Sequence, residues 1–386
     1  MRRDFENDLL NIIRAIVVDM DNARAAEIAN AAKGSVADGV SDRLSSLRPL
    51  AKHHQLEHFV DYALSCAGDV EATSDFYTSL SITTQQAIAA KEISAVFSRE
   101  GIDHILLKGT VIRSLYPEGW MRNSCDIDVL VHEEELERAR DLALQLGYQQ
   151  VGIKSDHDIA LYRDFLHIEL HYRLIEDFRM ASVAAVLDNI WDYAYASEEN
   201  KHSFLLPDHV SYLYHIAHAA KHFGDGGCGI RPVLDTWILN NRCEFDKSAR
   251  SELIRQAGLE KFELAISRLA EYWFGAGDGD GLSDVEEYLF SGGAYGNVDH
   301  ARKVRKTRKG RLGYLLSRAF MPYKDLLRKY PVLKKHPYLF PILEVWRWHE
   351  FFGKNRRAHA KEFKDTLKRS DETIEMITRL GLRDFT

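Results

Sequence analysis

Apolar residues recur every three or four positions through the first hundred residues of the chain, which is the spacing of amphipathic helices. The clearest of these segments read DLLNIIRAIV, LEHFVDYALSCA and SITTQQAIAAKEISAVFSRE. Polar breaks separate them, and Gly101 follows the last segment at a position where glycine commonly ends a helix. The pattern predicts an all-helical N-terminal region over residues 1–98.

The pattern changes at Ile102, where short apolar runs replace the helical spacing. HILLKG predicts a buried strand, TVIRSLYP a helix that Pro117 ends, and CDIDVLV a second strand. The segment EEELERARDLALQLGY carries acids in its first turn and a closing glycine, which predicts a helix. Two strand-like runs follow, around YQQVGIK and FLHIELHYRL, so residues 99–176 are predicted to form an α/β core.

The second of these runs alternates between two faces, because successive side chains of a strand point to opposite sides. One face is apolar: Leu166, Ile168, Leu170, Tyr172 and Leu174. The other face is mostly polar: Phe165, His167, Glu169, His171 and Arg173. One side of the strand therefore belongs to the core, and the other is available for chemistry.

After residue 176 the helical spacing returns, and no repeat of fixed period is found. The clearest segments are VSYLYHIAHAAKHF, PVLDTWILNN, FELAISRLAEYWFG and DVEEYLFSGG. The predicted fold class is α+β. A small mixed-sheet core over residues 99–176 is flanked by an N-terminal helical region, residues 1–98, and a C-terminal helical region, residues 177–386, that packs on the core.

Composition narrows the classes of protein that fit. The chain has 386 residues with 45% apolar and 28% charged residues, which is ordinary for a folded protein. Its formal net charge of −7 argues against a surface that grips nucleic acid throughout. The four cysteines have no CxxC spacing, and no window approaches the ~18 apolar residues of a membrane span, so a cytoplasmic protein with reduced thiols is expected.

Asp126 and Asp128 place two negative charges at the head of an apolar strand. Side chains two residues apart on a strand share a face and lie roughly 6.5–7 Å apart along the chain. Two carboxylates at this separation can share a pair of Mg²⁺ or Mn²⁺ ions. Other acid-x-acid pairs occur at a helix start or in loops: Glu133/Glu135, Asp156/Asp158 and Asp278/Asp280. Taken alone, the pair at 126 and 128 fits a solvated strand end equally well.

The neighbouring residues favour a site. Lys108, Gly109 and Thr110 stand where a strand passes into a helix. There glycine lets the backbone approach a ligand, and the helix N-terminus offers N–H groups to a phosphate. Lys108 is also compatible with a strand-end residue whose ammonium group reaches solvent. Glu169, on the polar face of the later strand, supplies a third carboxylate.

Together these residues resemble the nucleotidyltransferase superfamily of the DNA polymerase β and kanamycin nucleotidyltransferase type. The closer resemblance, over about residues 95–240, is to an uncharacterised bacterial branch of it. The matching motifs are Leu107-Lys108-Gly109, Leu115-Tyr116-Pro117, Arg122 with Asp126-Ile127-Asp128-Val129-Leu130-Val131, and Glu169-Leu170-His171. Thr110 replaces the usual serine or glycine, and Glu169 the commoner aspartate; both keep the chemistry available.

The resemblance implies a nucleotidyltransferase-type mixed sheet and a role for each acid. Asp126 and Asp128 would bind two metal ions, Mg²⁺ or Mn²⁺. Glu169 would complete the first metal site or act as base for the acceptor hydroxyl. Gly109 and Thr110 would hold the triphosphate of an NTP by backbone contacts.

The resemblance also implies roles for cationic residues near the triphosphate. Lys108 and Arg122 are candidate phosphate ligands, and Arg122 fits a structural pair with Asp126 equally well. His171 either orients Glu169 or the acceptor, or is a hydrogen-bonded interior histidine. Lys221 would reach the triphosphate from a helix that faces the site. Asp235 would belong to the next helix of the same unit.

Three further features are considered as functional. His218 and His222 have the i, i+4 spacing of a zinc pair, but Ala219 stands where a metalloprotease helix requires glutamate.

A basic block could bind RNA, an acidic partner or anionic lipid, or be solvated. Its residues are Arg302, Lys303, Arg305, Lys306, Arg308, Lys309 and Arg311. The glycine-rich SGGAYG, residues 291–296, lacks phosphate-loop spacing and predicts a turn.

The sequence thus predicts an enzyme that moves a nucleoside monophosphate from an NTP to a hydroxyl, with Mg²⁺ or Mn²⁺ and release of pyrophosphate. The acceptor is left open, with a small molecule or glycan favoured over protein or RNA. Two alternatives remain at this stage: a catalytically silent nucleotide- or partner-binding protein, and an RNA-directed transferase.

Overall fold

The computed structural model describes most of the chain up to residue 297 and shorter segments beyond it. The described residues are 4–33, 44–69, 71, 73–152, 155, 157–175, 180–297, 323, 326, 330–334, 336–343, 346 and 372–382. The basic block of residues 302–311 lies outside the described residues, so its role stays a prediction.

Helices form most of the described N-terminal residues, as the apolar spacing predicts. They are α1 (Asp4–Ile13), α2 (Asn22–Lys33), α3 (Leu44–His53), α4 (Glu57–Cys66) and α5 (Ser74–Arg99). A π-helical turn, Arg14–Val18, continues α1. The longest, α5, ends just before Gly101, whose positive φ of 75° turns the chain out of the helix, as predicted.

A seven-stranded mixed sheet occupies the centre of the described chain. Its strands are β1 (His104–Leu106), β2 (Ile127–Val131), β3 (Gln149–Gln150), β4 (Asp158–Arg163), β5 (Leu166–His171), β6 (Tyr195–Ala196) and β7 (Ser203–Leu205). The spatial order is β3-β4-β5-β2-β1-β7-β6. Only the β2–β5 and β1–β7 pairs are parallel. The α+β fold class predicted from the sequence is confirmed.

Three of these strands do not appear in the hydrophobic pattern. β4 reads DIALYR, in which apolar residues are contiguous and show no alternation, and its partner is β5, with which it pairs over six residues of each strand. β6 and β7 are two and three residues long, too short to show a period of two. The prediction of helix throughout after residue 176 therefore misses two strands that extend the sheet at β1.

The remaining helices cover the sheet and build the C-terminal part. Within the sheet region these are α6 (Lys108–Arg113) and α7 (Leu136–Gln145). Beyond it lie α8 (Ala181–Leu187), α9 (Ile190–Tyr193), α10 (Asp208–Gly224), α11 (Arg231–Arg242), α12 (Lys247–Gln256), α13 (Glu260–Phe274) and α14 (Ser283–Gly292). The predicted turn at SGGAYG begins in the last turn of α14 and continues through Gly293, which has a positive φ of 65°. No helix in the described residues has the length and apolar character needed to cross a membrane.

The two faces of the sheet pack differently, and this sets the position of the site. One face contributes Ile127, Val129, Ile168 and Leu170 to a core shared with α5 and α7. On the other face Leu130 joins the larger core of the flanking helices. Asp126 and Asp128 share the face of Leu130, so the carboxylates lie on the side of the sheet away from α5 and α7.

Candidate active site

Strand register brings the three predicted carboxylates together. β2 and β5 run parallel with Asp128 directly beside Glu169. Asp126 precedes β2 by one residue and points to the same face, because it lies two positions before Asp128. Asp128 and Glu169, 41 positions apart in the chain, therefore meet only because the two strands pair in this register.

The donor set fits a divalent cation. Ligand atoms of Asp126, His167 and Glu169 lie within 4.8 Å of one another, and so do those of Asp128, Glu169 and His171. Glu169 is common to both groups. Asp128 is fully buried, yet its Oδ2 has no hydrogen-bond partner among the described residues. A buried carboxylate oxygen without a donor is costly, and hard oxygen ligands are those that Mg²⁺ and Mn²⁺ prefer.

Cations already surround the Asp128 carboxylate. Lys108 Nζ lies 3.3 Å from Asp128 Oδ1. The Nε2 of His171 lies 3.0 Å from the same oxygen and 3.4 Å from Glu169 Oε2. His171 thus contacts two carboxylates in the interior. These contacts fit both roles considered in the sequence: a histidine that orients Glu169 and a hydrogen-bonded interior histidine.

The three carboxylates differ in proton affinity. Burial by itself would raise the pKa of Asp128, but Lys108 and the hydrogen bond from His171 lower it well below its ordinary value. Burial likewise opposes ionisation of Glu169, but His171 lowers the pKa of Glu169. Burial and the neighbouring charge of Asp128 raise the pKa of Asp126. Near neutral pH the carboxylates of Asp128 and Glu169 are therefore ionised.

Lys108 is held in place by α10. Its Nζ lies 2.9 Å from the Nε2 of His218 and 5.8 Å from the ring centre of Tyr214. Burial and the charge of Lys108 lower the pKa of His218 well below its usual range, so the imidazole is neutral and accepts a hydrogen bond from the ammonium group. Lys108 is thus an oriented cation of the site rather than a solvent-exposed strand end.

The zinc alternative gains no support from the geometry. His218 and His222 do approach each other, with 3.1 Å between their Nε2 atoms. However, Lys108 contacts the same nitrogen of His218. Among the described side chains, no acid or thiol lies close enough to both histidines to be a third ligand.

The phosphate-binding prediction falls on α6. The helix begins at Lys108, so Gly109 and Thr110 lie in its first turn rather than before it. The Thr110 N–H donates to the Leu107 carbonyl at 3.1 Å, whereas the first-turn N–H of Gly109 has no intrahelical acceptor. A methyl group on Gly109 would lie 3.3 Å from Arg122 Nη1, so glycine allows the guanidinium group to approach the backbone here.

Arg122 has a different partner from the one considered in the sequence. Its Nη2 lies 2.9 Å from Asp235 Oδ2, and its Nε lies 3.2 Å from Oδ1. Tyr116 donates its hydroxyl to the same Oδ1 at 2.7 Å. Both members of the ion pair are buried, so the structural partner of Arg122 is Asp235 of α11 and not Asp126.

Two residues near the site are placed differently from what the sequence predicted. Lys221 is half-buried on α10 and has neither a hydrogen bond nor an ion pair with the carboxylates in the described part of the chain. His167 lies within the carboxylate group although no role was predicted for it. The signal was present in the sequence, because strand alternation places His167 on the polar face two residues before Glu169.

Raising the pH is expected to destabilise the metal-free protein through His171. Burial would lower the pKa of His171, but hydrogen bonds to Asp128 and Glu169 raise it from 6.5 to about 9. This contribution to stability is complete below the unfolded pKa and is lost as the pH rises through the folded pKa. Urea unfolding with chelator is expected to lose about 2–3 kcal/mol across this interval. The same pH dependence in His171→Gln would contradict the assignment to this residue.

Comparison with known families identifies one to which the chain is similar. A family model described as "uncharacterised nucleotidyltransferase" matches residues 43–275, which is more than half of the chain. The matched range runs from α3 to the end of α13 and includes every candidate site residue. Neither the curated proteins nor the solved structures contain a match.

Proposed function

The chain belongs to this family of uncharacterised nucleotidyltransferases, and on that premise we propose that it moves a nucleoside monophosphate from an NTP to a hydroxyl group. The observation that carries the proposal is the pairing of Asp128 with Glu169 beside Asp126, with a buried oxygen of Asp128 lacking a donor among the described residues. We further propose that the family is a branch of the DNA polymerase β superfamily. The motif order along the chain and the mixed sheet support this assignment.

In this proposal the carboxylates hold divalent ions, Mg²⁺ or Mn²⁺. Asp126, Asp128 and Glu169 are the ligands. When bound, the ions offset the charge of the phosphates and favour ionisation of the acceptor hydroxyl. Lys108 adds a fixed positive charge beside Asp128, and the Gly109 N–H would contact the triphosphate at the start of α6, whereas the Thr110 N–H already donates to Leu107 and is not free for the backbone contact predicted for it. Lys221 is proposed to complete the nucleotide-binding set. Arg122 and His171, also predicted to bind the nucleotide, instead contact Asp235 and the carboxylates of Asp128 and Glu169.

The reaction that these residues serve is an in-line displacement. The acceptor oxygen forms a bond to the α-phosphorus while the bond from that phosphorus to the bridging oxygen breaks. Pyrophosphate leaves with the electron pair, and the hydroxyl proton passes to water; in the alternative in which Glu169 is the base rather than a metal ligand, its ionised and partly exposed carboxylate takes the proton first. The acceptor is proposed to be a small molecule or glycan.

We retain the division into an N-terminal helical region, a core over residues 99–176 and a C-terminal helical region as part of this proposal. β6 and β7 of the third region add to the sheet of the second. The complete trio of acids weighs against a silent nucleotide-binding protein.

Binding of an NTP with Mg²⁺ or Mn²⁺ is expected to raise the unfolding temperature by a few degrees. A ligand at about 100 times its Kd adds ~2.7 kcal/mol of stability. Thermal unfolding with each of the four NTPs identifies the donor, and the shift is expected to vanish with chelator and in Asp126→Asn/Asp128→Asn. The matched control is Asp278→Asn/Asp280→Asn, which has the same spacing in the exposed loop before α14. No shift with any NTP would contradict the proposal.

A further inference from the structure

The Nε2 atom of His167 lies in the site without a hydrogen bond among the described residues. His167 lies on β5 two residues before Glu169, and its Nε2 is buried. The nearest carboxylate oxygen, Glu169 Oε1, is 4.0 Å away, too far for a hydrogen bond. The Nε2 of His167 is therefore buried close to two carboxylates and makes no hydrogen bond to either.

The arrangement matches the spacing of atoms around one cation. One ligand atom each from Asp126, His167 and Glu169 falls within 4.8 Å of the others. Ligands about 2.0–2.2 Å from a common ion lie at most roughly 4.0–4.4 Å apart, so atoms up to 4.8 Å apart need a shift of only a few tenths of an ångström to share one ion. Two carboxylate oxygens and one imidazole nitrogen are therefore close enough to bind a single ion.

The ring of His167 is held rigidly. Tyr162 lies opposite His167 in the β4–β5 ladder. The two rings stack with 4.2 Å between their centres and 5° between their planes. Such a cross-strand stack fixes the direction of the imidazole, so Nε2 is oriented before any ligand arrives.

The other histidine of the site is placed differently. His171 already contacts Asp128 and Glu169 through its Nε2. It therefore orients two carboxylates, as outer-shell residues of metal sites do. His167 has no such engagement, and it alone of the two offers an uncommitted Nε2.

We propose that His167 Nε2 is a direct ligand of the ion held by Asp126 and Glu169, and that this nitrogen makes the site prefer Mn²⁺ to Mg²⁺. The inference rests on the proposed function only in requiring a divalent ion at these carboxylates. Mg²⁺ takes oxygen ligands almost exclusively, whereas first-row transition ions bind imidazole as well. Among them Mn²⁺ also shares the affinity for carboxylates that the rest of the site provides.

Electron spin-echo spectroscopy of bound Mn²⁺ tests the ligand directly, because a coordinated imidazole nitrogen modulates the echo. The probe is Mn²⁺ with a non-hydrolysable NTP analogue on the full chain. Nitrogen modulation is expected in the wild type and in His171→Gln, and its loss is expected in His167→Gln. His209→Gln is the matched control, since His209 lies about 13 Å along α10 from His218 and near Asp246.

Titration of the protein with Mn²⁺ and with Mg²⁺ tests the inference a second time. Glutamine at position 167 replaces the nitrogen ligand by an oxygen, so the Mn²⁺ Kd is expected to rise at least about tenfold with little change for Mg²⁺. The ratio of the two Kd values is expected to stay at the wild-type level in His209→Gln.

The outcomes separate this inference from the proposed function. Bound Mn²⁺ without nitrogen modulation in the wild type would overturn the inference and leave the nucleotidyl transfer proposal standing; this result does not depend on any variant folding. Modulation that persists in His167→Gln but disappears in His171→Gln would assign the nitrogen to His171 and overturn it too. No bound Mn²⁺ in the wild type would overturn both.

Discussion

Asp128→Asn is expected to reduce nucleotidyl transfer by at least about 10³-fold, the largest catalytic effect of any single substitution in the chain. The residue is fully buried, and its carboxylate contacts Lys108 and His171 at once. Asparagine keeps the shape but removes the charge. It therefore removes a proposed metal ligand and the anion that keeps both cations in position.

The measurement is transfer of label from the α-phosphate of the NTP identified by thermal unfolding into products, with a cell extract as the source of acceptor. Asp126→Asn is expected to lose activity as well, with a smaller effect on stability, because Asp126 is only half-buried. Asp278→Asn/Asp280→Asn is expected to retain full activity. Residual transfer above a few per cent in Asp128→Asn would refute the assignment.

Asp235→Ala is expected to cost about 3–5 kcal/mol of stability, the largest effect on folding. The carboxylate pairs with Arg122 in the interior and also accepts the hydroxyl of Tyr116. Burial would raise the pKa of Asp235, but Arg122 holds it below its ordinary value. Removing the carboxylate leaves a buried guanidinium group without its anion, next to the first turn of α6.

Chemical unfolding of Asp235→Ala and of a double variant that replaces both partners measures this effect. Arg122→Met/Asp235→Leu is expected to recover most of the loss, because apolar residues of similar volume often replace a buried ion pair at little cost. Recovery is incomplete, since Tyr116 still lacks its acceptor. A loss below about 1 kcal/mol in Asp235→Ala, or equal losses in the single and double variants, would show that the pair is unimportant for folding.

The outline of the site follows from local sequence. Alternation along β5 separates Leu166, Ile168 and Leu170, which are buried, from the face that carries Glu169. The i, i+2 spacing of Asp126 and Asp128 places both on one side of β2 in the same way. Both features follow from the two-residue period of a strand, which is visible in the sequence itself.

The partners of the site residues were not predictable in the same way. The sequence left Arg122 with two roles, and the structure pairs it with Asp235, 113 residues further along. His218 contacts Lys108 across 110 residues because α10 packs beside α6. β6 and β7 are likewise too short to show a pattern; β7 is stabilised by pairing with β1, and β6 by pairing with β7.

The sequence by itself determined the α+β class, the predicted helices, the strand that carries the aspartates and the family to which the chain belongs. Tertiary structure alone decided which charges meet, which nitrogen lacks a partner and which arginine is buried. The physical reason is the distance along the chain over which each interaction acts. Periodicity and capping act over a few residues, whereas the energy of a buried charge depends on partners that only strand register and helix packing bring within about 4 Å.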